Sequence, residues 1–126
     1  DVKDLLCIDY TSAYSTPSLD KLVRTFVYDR QGKGSFTVGD EFTANAPIRF
    51  ETAITTQANW KIIDDTHLLL TTGTEQMTVT IEASGKVAFT SETIEVNSPA
   101  YKRIGISLKE QSKDGYIRLT MRTKQL

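Results

Sequence analysis

Only a few side chains in this 126-residue chain belong to types that do chemistry near neutral pH. The single histidine, His67, follows Asp64-Asp65-Thr66. It can be read as a general base tuned by Asp65, since imidazole titrates in the useful range. The plainer reading, a solvated residue where a strand begins, is preferred. Asp40 and Glu41 are adjacent carboxylates. Acid–base cleavage of a glycosidic bond needs two carboxyl groups facing each other across a sugar, whereas neighbours in an extended chain point to opposite faces. A structural role is therefore expected, with Asp40 bonding backbone amides at a strand turn and Phe42 packing inward. Gly32-Lys33-Gly34 suggests a phosphate cradle but lacks the remaining positions of a phosphate loop and the helix that should follow. Cys7 is the only cysteine and lies in an apolar run, where it reads as a small buried hydrophobe. One Cys and one His make neither an internal disulfide nor a zinc site.

Binding chemistry has more candidates. Trp60 and the tyrosines Tyr10, Tyr14, Tyr28, Tyr101 and Tyr116 can stack on sugar rings, although Trp60 reads first as core. Arg24, Arg30 and Arg49 can pair with carboxylates, their default being a solvated sheet face.

These residues must be positioned by strands. The chain holds 18 Thr, 10 Ile and 7 Val, so β-branched residues exceed a quarter of it and favour a pleated surface. Alternation marks strands at Leu5–Tyr10, from about Val23 to Tyr28, at Ser35–Val38, Ile48–Thr55, Trp60–Ile63, His67–Thr72, Met77–Glu82, Val87–Val96, Arg103–Leu108 and Ile117–Met121. Asp29 to Gly34 reads as a hairpin connection with glycines free to take positive φ. After Gly39-Asp40-Glu41-Phe42 a loop is expected through Pro47, with a turn at Asp64-Asp65-Thr66, a break at Asn97-Ser98-Pro99 and a polar turn at Glu110–Gly115. Leu22, Arg24, Phe26 and Tyr28 alternate as a strand, while the spacing of Leu19, Leu22, Val23 and Phe26 allows at most one helical turn near Pro17–Leu22. No internal repeat or linker is present, so the chain reads as one domain over 1–126. The expectation is an all-β, antiparallel β-sandwich of about nine to ten strands, with a barrel as the competing architecture.

Composition narrows the function classes. Fifteen basic residues against sixteen acidic ones leave a net charge of −1. No nucleic-acid partner is expected from that balance, and no span suits a membrane. Asp1 is not an initiator methionine and no leader peptide follows it, so the chain reads as a mature product or a fragment.

Motifs in order along the chain carry a resemblance. They begin with Asp9-Tyr10-Thr11-Ser12-Ala13-Tyr14, continue with the strand from Arg24 to Arg30 and a hairpin, and reach Val38-Gly39-Asp40-Glu41-Phe42. Ile48-Arg49-Phe50-Glu51, Trp60 and Arg103-Ile104-Gly105-Ile106-Ser107-Leu108 follow. From about Leu5 to Met121 the chain resembles the C-terminal β-domain of heparinase II/III-like polysaccharide lyases. The resemblance implies a non-catalytic module of a longer enzyme, C-terminal to a helical toroid. That enzyme would cleave uronate-containing polysaccharide by β-elimination in the periplasm or outside the cell. The module would pack on the catalytic part and help shape the glycan cleft. The family's catalytic Tyr and His positions have no match here, so no catalytic residue and no cofactor are implied, and the chain alone is expected to be inactive. Tyr14 and Arg24 lie in the stretch carrying the resemblance and are the candidate carbohydrate contacts. Two other functions stay open: a free-standing lipocalin-like barrel holding a small apolar ligand, and an extracytoplasmic interaction or inhibitor module.

Overall fold

A computed structural model of the chain describes residues 2–95 and 100–124. The expected break at Asn97-Ser98-Pro99, Val96, and the terminal Asp1, Gln125 and Leu126 lie outside the described residues. Ten strands run in the order β1 (Lys3–Asp9), β2 (Leu19–Asp29), β3 (Ser35–Ile48), β4 (Glu51–Thr56), β5 (Asn59–Asp64), β6 (His67–Thr72), β7 (Glu75–Ala83), β8 (Val87–Ile94), β9 (Tyr101–Leu108) and β10 (Ser112–Lys124). They form two antiparallel sheets, one of seven strands in the order β1-β2-β3-β10-β7-β6-β5 and one of three in the order β4-β9-β8. This is the expected sandwich. Two separate open sheets overturn the lipocalin-like barrel.

The sandwich is asymmetric. Its core joins Phe42, Leu68, Val79, Ile81, Ile117 and Leu119 of the large sheet to Ile104, Ile106 and Leu108 of the small one. Phe42 and Phe50 stack between the sheets with ring centroids 4.6 Å apart. Burying each such ring contributes about 1.5–3 kcal/mol, and the offset pair about 0.5–1.5 kcal/mol more. Three strands cannot roof seven. The large sheet's inner face is therefore left open toward its β1–β2 edge, where Leu6 and Tyr28 are exposed.

Local differences from the sequence expectation have physical causes. The helical turn falls at Thr11–Ala13, not at Pro17–Leu22, because Leu19 already pairs with Ala44 and begins β2. Pro17 and Ser18 instead form a tight turn closed by Leu19 N–H donating to Thr16 C=O at 3.1 Å. The loop expected after Phe42 and through Pro47 is strand, because β3 pairs with β2 on one side and β10 on the other. The alternation through Ile48, Phe50, Thr52 and Ile54 does mark an inward face, but the chain changes sheets at Arg49-Phe50. Phe50 C=O accepts from Leu108 N–H at 3.0 Å, which ties that crossover to β9. Gly32 and Gly34 take the positive φ values, 61° and 85°, that the β2–β3 connection requires.

Cys7 is exposed, contrary to expectation, because it alternates with the inward-facing Leu6 and so stands on the outer face of the edge strand β1. Asp40 does not cap a turn. It lies within β3, buried to 5% exposure, while Glu41 points outward.

Candidate functional site

A cleft of 390 Å³ opens where the small sheet ends, lined by Tyr10, Tyr14, Arg24, Asp40, Arg49 and Glu51 over an apolar base that includes Leu22 and Phe50. Its size falls in the range of small-ligand clefts, roughly 300–1,000 Å³. Of the other sizeable hollows, one lies on the outer face of the large sheet around Tyr116 and Arg118, and two lie at turn surfaces with no aromatic lining.

The floor is set by strand register. Arg24 of β2 faces Asp40 of β3, so both side chains stand on the same inner face. Arg24 closes on the carboxylate as a fork, Nε donating to Oδ1 at 2.6 Å and Nη2 to Oδ2 at 2.8 Å. The bonded carboxylate raises the Arg24 pKa above its already high ordinary value, so this group is a permanent cation. The guanidinium carbon also lies 5.5 Å from the centre of the Tyr10 ring, within cation–π range. Arg24 is thus committed on its Nε edge and on one face, while Nη1 takes no part in the Asp40 bonds.

The first wall is the segment between β1 and β2. Asp9 Oδ1 accepts from Thr11 N–H at 2.9 Å and from Thr11 Oγ1–H at 2.6 Å, an Asx-type turn that starts the short helix. These bonds, the side-chain one first, hold the Asp9 carboxyl below its ordinary pKa. Thr11 Oγ1 accepts from Leu22 N–H at 2.8 Å, and Tyr10 N–H donates to Leu22 C=O at 2.8 Å, fixing the segment against β2. Tyr14 follows the helix and is 54% exposed.

The second wall is the β3–β4 crossover. Arg49 is exposed and makes no hydrogen bond or ion pair among the described residues. Glu51 is neutralised by Arg103, Nη2 to Oε2 at 3.0 Å.

Both candidate contacts, Tyr14 and Arg24, therefore line one cleft, and Arg49 and Tyr10 join them. The remaining candidates lie elsewhere. Arg30 pairs with Asp4 and sits 5.9 Å from the Tyr28 ring centre at the far end of β2. Tyr116 lies under Arg118 on β10. Trp60 packs partly buried against the core from β5. His67, on β6 toward the opposite edge of the large sheet, bonds through Nδ1 to Asp64 Oδ1 at 2.8 Å and Thr66 Oγ1 at 3.0 Å. Its carboxylate partner is Asp64 rather than the expected Asp65. Asp64 has its pKa lowered, by the Thr66 backbone bond first and by His67 second. Among the described residues, no group of three or more His, Cys, Asp and Glu side chains is placed to hold a metal ion, and no helix is long and apolar enough to cross a membrane.

No protein-family model matches the chain, and no curated protein matches it. A search of solved structures returns the crystal structure of heparinase III, with a TM-score of 0.71 and 15% sequence identity over 95% of this chain. The chain spans 19% of that protein's length. The resemblance read from the sequence thus holds at the level of fold.

Proposed function

We propose that the chain is the C-terminal β-sandwich domain, residues 1–126, of a heparinase II/III-like polysaccharide lyase, periplasmic or secreted. In this reading the parent enzyme breaks uronate-containing polysaccharide by β-elimination with residues outside this chain, and the domain packs on the catalytic part and shapes the glycan cleft. The observation that carries the reading is the fold likeness to heparinase III over nearly the whole chain, at about a fifth of that protein's length.

A second feature supports it. On the inner face of the large sheet, one rung beyond Arg24, Leu6, Phe26 and Val38 align across β1, β2 and β3, and Tyr28 and Phe36 form the next rung. Leu6 is 55% exposed, and Tyr28 and Phe36 are exposed too. An apolar strip of this kind suits contact with another part of a polypeptide. Tyr14 and Arg24 stand beside it in the cleft, where they would meet the glycan.

The reading is tested by incubating the chain, and separately its parent polypeptide, with heparin, heparan sulfate and alginate while following ultraviolet absorbance of the unsaturated product. Turnover by the parent and none by the chain is expected. Turnover by the chain alone overturns the non-catalytic assignment, and a parent without eliminase activity overturns the lyase. Leu6→Gln should lower the thermal midpoint of the parent more than that of the chain. A separate inhibitor module would show no such difference and would co-purify with another protein.

A further inference from the structure

The ionised groups that line the cleft sum to zero, but their pairing leaves one cation over. Four ionised side chains line the cleft: Arg24, Asp40, Arg49 and Glu51. Arg24 and Asp40 neutralise each other through two short bonds. Glu51 is neutralised from outside the cleft by Arg103 at 3.0 Å. Arg49 remains, exposed and without a counter-ion among the described residues. The cleft therefore presents one uncommitted guanidinium, whose planar fork fits a carboxylate.

The remaining surfaces fit a sugar ring. Tyr14 offers an exposed aromatic face, and Leu22 and Phe50 give an apolar base. Arg24, whose Nη1 takes no part in the Asp40 bonds, and Thr16 also line the cleft and bring donors for hydroxyl groups. An apolar ring face, several hydroxyls and one carboxylate together describe a uronate residue.

We infer that this cleft is a uronate-binding subsite in which Arg49 pairs with the carboxylate and Tyr14 carries the ring, the Arg24–Asp40 pair being its rigid floor. The saccharide part of the inference rests on the lyase reading, and the anion part on the unpaired guanidinium of Arg49. In this inference the subsite binds without reacting, the residues that break the chain lying outside this domain. Arg49 is then a specificity residue, separating acidic from neutral chains.

The test is calorimetric titration of the 126-residue chain with hexasaccharides of alginate and of heparan sulfate, with cellohexaose as the neutral chain and hexaglutamate as an anionic peptide. At least one uronate hexasaccharide should bind about tenfold or more tightly than cellohexaose or hexaglutamate, as expected for a charge-assisted pair. Arg49→Gln should remove that preference while leaving the urea midpoint unchanged, because Arg49 is an exposed group with no partner to lose. Tyr14→Ala should weaken uronate and cellohexaose binding alike. Lys61→Gln, on exposed β5, should change nothing. Binding of neither uronate probe, equal binding of hexaglutamate, or an equal loss in Lys61→Gln overturns the inference. An eliminase-active parent with no uronate binding by the chain removes the subsite and leaves the lyase standing. Uronate binding by the chain with an inactive parent does the reverse.

Discussion

Arg24 and Asp40 face each other across β2 and β3 and lock together through paired bonds of 2.6 and 2.8 Å, with the carboxylate nearly sealed from solvent. This single cross-strand pair forms the floor of the cleft, fixes the rotamer beneath Tyr10 and brings charge into an otherwise apolar face. A carboxylate at this depth is tolerated only because its partner supplies a matching fork.

Removing one partner should cost more than removing both. Asp40→Asn leaves a cation half in the sheet with one fork unanswered. The cost is expected at about 2–3 kcal/mol, below the range for fully buried pairs because Arg24 keeps some contact with water. The double variant Arg24→Met with Asp40→Leu should recover most of that loss. Urea midpoints of the two singles and the double, read as a double-mutant cycle, check this; additive losses would refute it.

Gly115 is required for space rather than for backbone freedom. A Cβ there would lie 2.7 Å from Ser84 Oγ, 3.0 Å from the Phe42 ring and 3.1 Å from Leu108. Two of those neighbours belong to the core and cannot yield freely. Gly115→Ala should destabilise by about 1–3 kcal/mol through overpacking. Gly32→Ala, with open space but φ of 61°, should lose about 1 kcal/mol. Thermal midpoints that reverse this order would contradict the packing argument.

Phe50 joins the sheets and forms part of the base of the cleft. Phe50→Ala deletes the stack on Phe42 and should cost about 3–5 kcal/mol. Near-ultraviolet circular dichroism should lose aromatic signal while the far-ultraviolet strand signal persists at low temperature. An unchanged urea midpoint would show that the crossover does not hold the sheets.

Asp9 and Asp64 both have pKa values below the ordinary carboxyl value of 3.8. A carboxyl lowered in the folded state binds fewer protons there than in the unfolded chain. Its stabilisation is present above the ordinary value and is lost as pH falls through the lowered folded value. The chain should therefore weaken on acidification below about pH 4. Asp9→Asn and Asp64→Asn should each flatten that acid limb when urea midpoints are followed from pH 6 to pH 2. A steeper limb in either variant would reverse the sign of the argument.

Cys7 lies exposed on β1 with Thr25 Oγ1 3.8 Å from its sulfur. A maleimide should label one thiol per folded chain without denaturant, with no change in the strand signal. Labelling that requires urea would place β1 against a cover.

Much of the fold was legible because strands announce themselves by alternation. Leu22, Arg24, Phe26 and Tyr28 share one face as their spacing requires, and Met77, Val79 and Ile81 do the same on β7. The hairpin at Gly32 and Gly34 even contained the register of the cleft floor. Counting five residues back from Asp29 and five on from Ser35 sets Arg24 opposite Asp40. That count was obscured because Gly39-Asp40-Glu41 and Asn45-Ala46-Pro47 carry turn-forming residues. Two flanking strands overrode the local preference, and Asp40 became a buried ion-pair partner.

Residue order alone established an all-β chain, most of its hairpins and inward faces, and a family resemblance, because alternation and turn residues act over a few positions. Folding in three dimensions decided which strands share a sheet, that three strands roof only part of seven, and that Tyr14, Arg24 and Arg49 meet in one cleft. Those outcomes depend on contacts between segments far apart in sequence, where burial and pairing of charges are settled by what lies opposite rather than by what lies next.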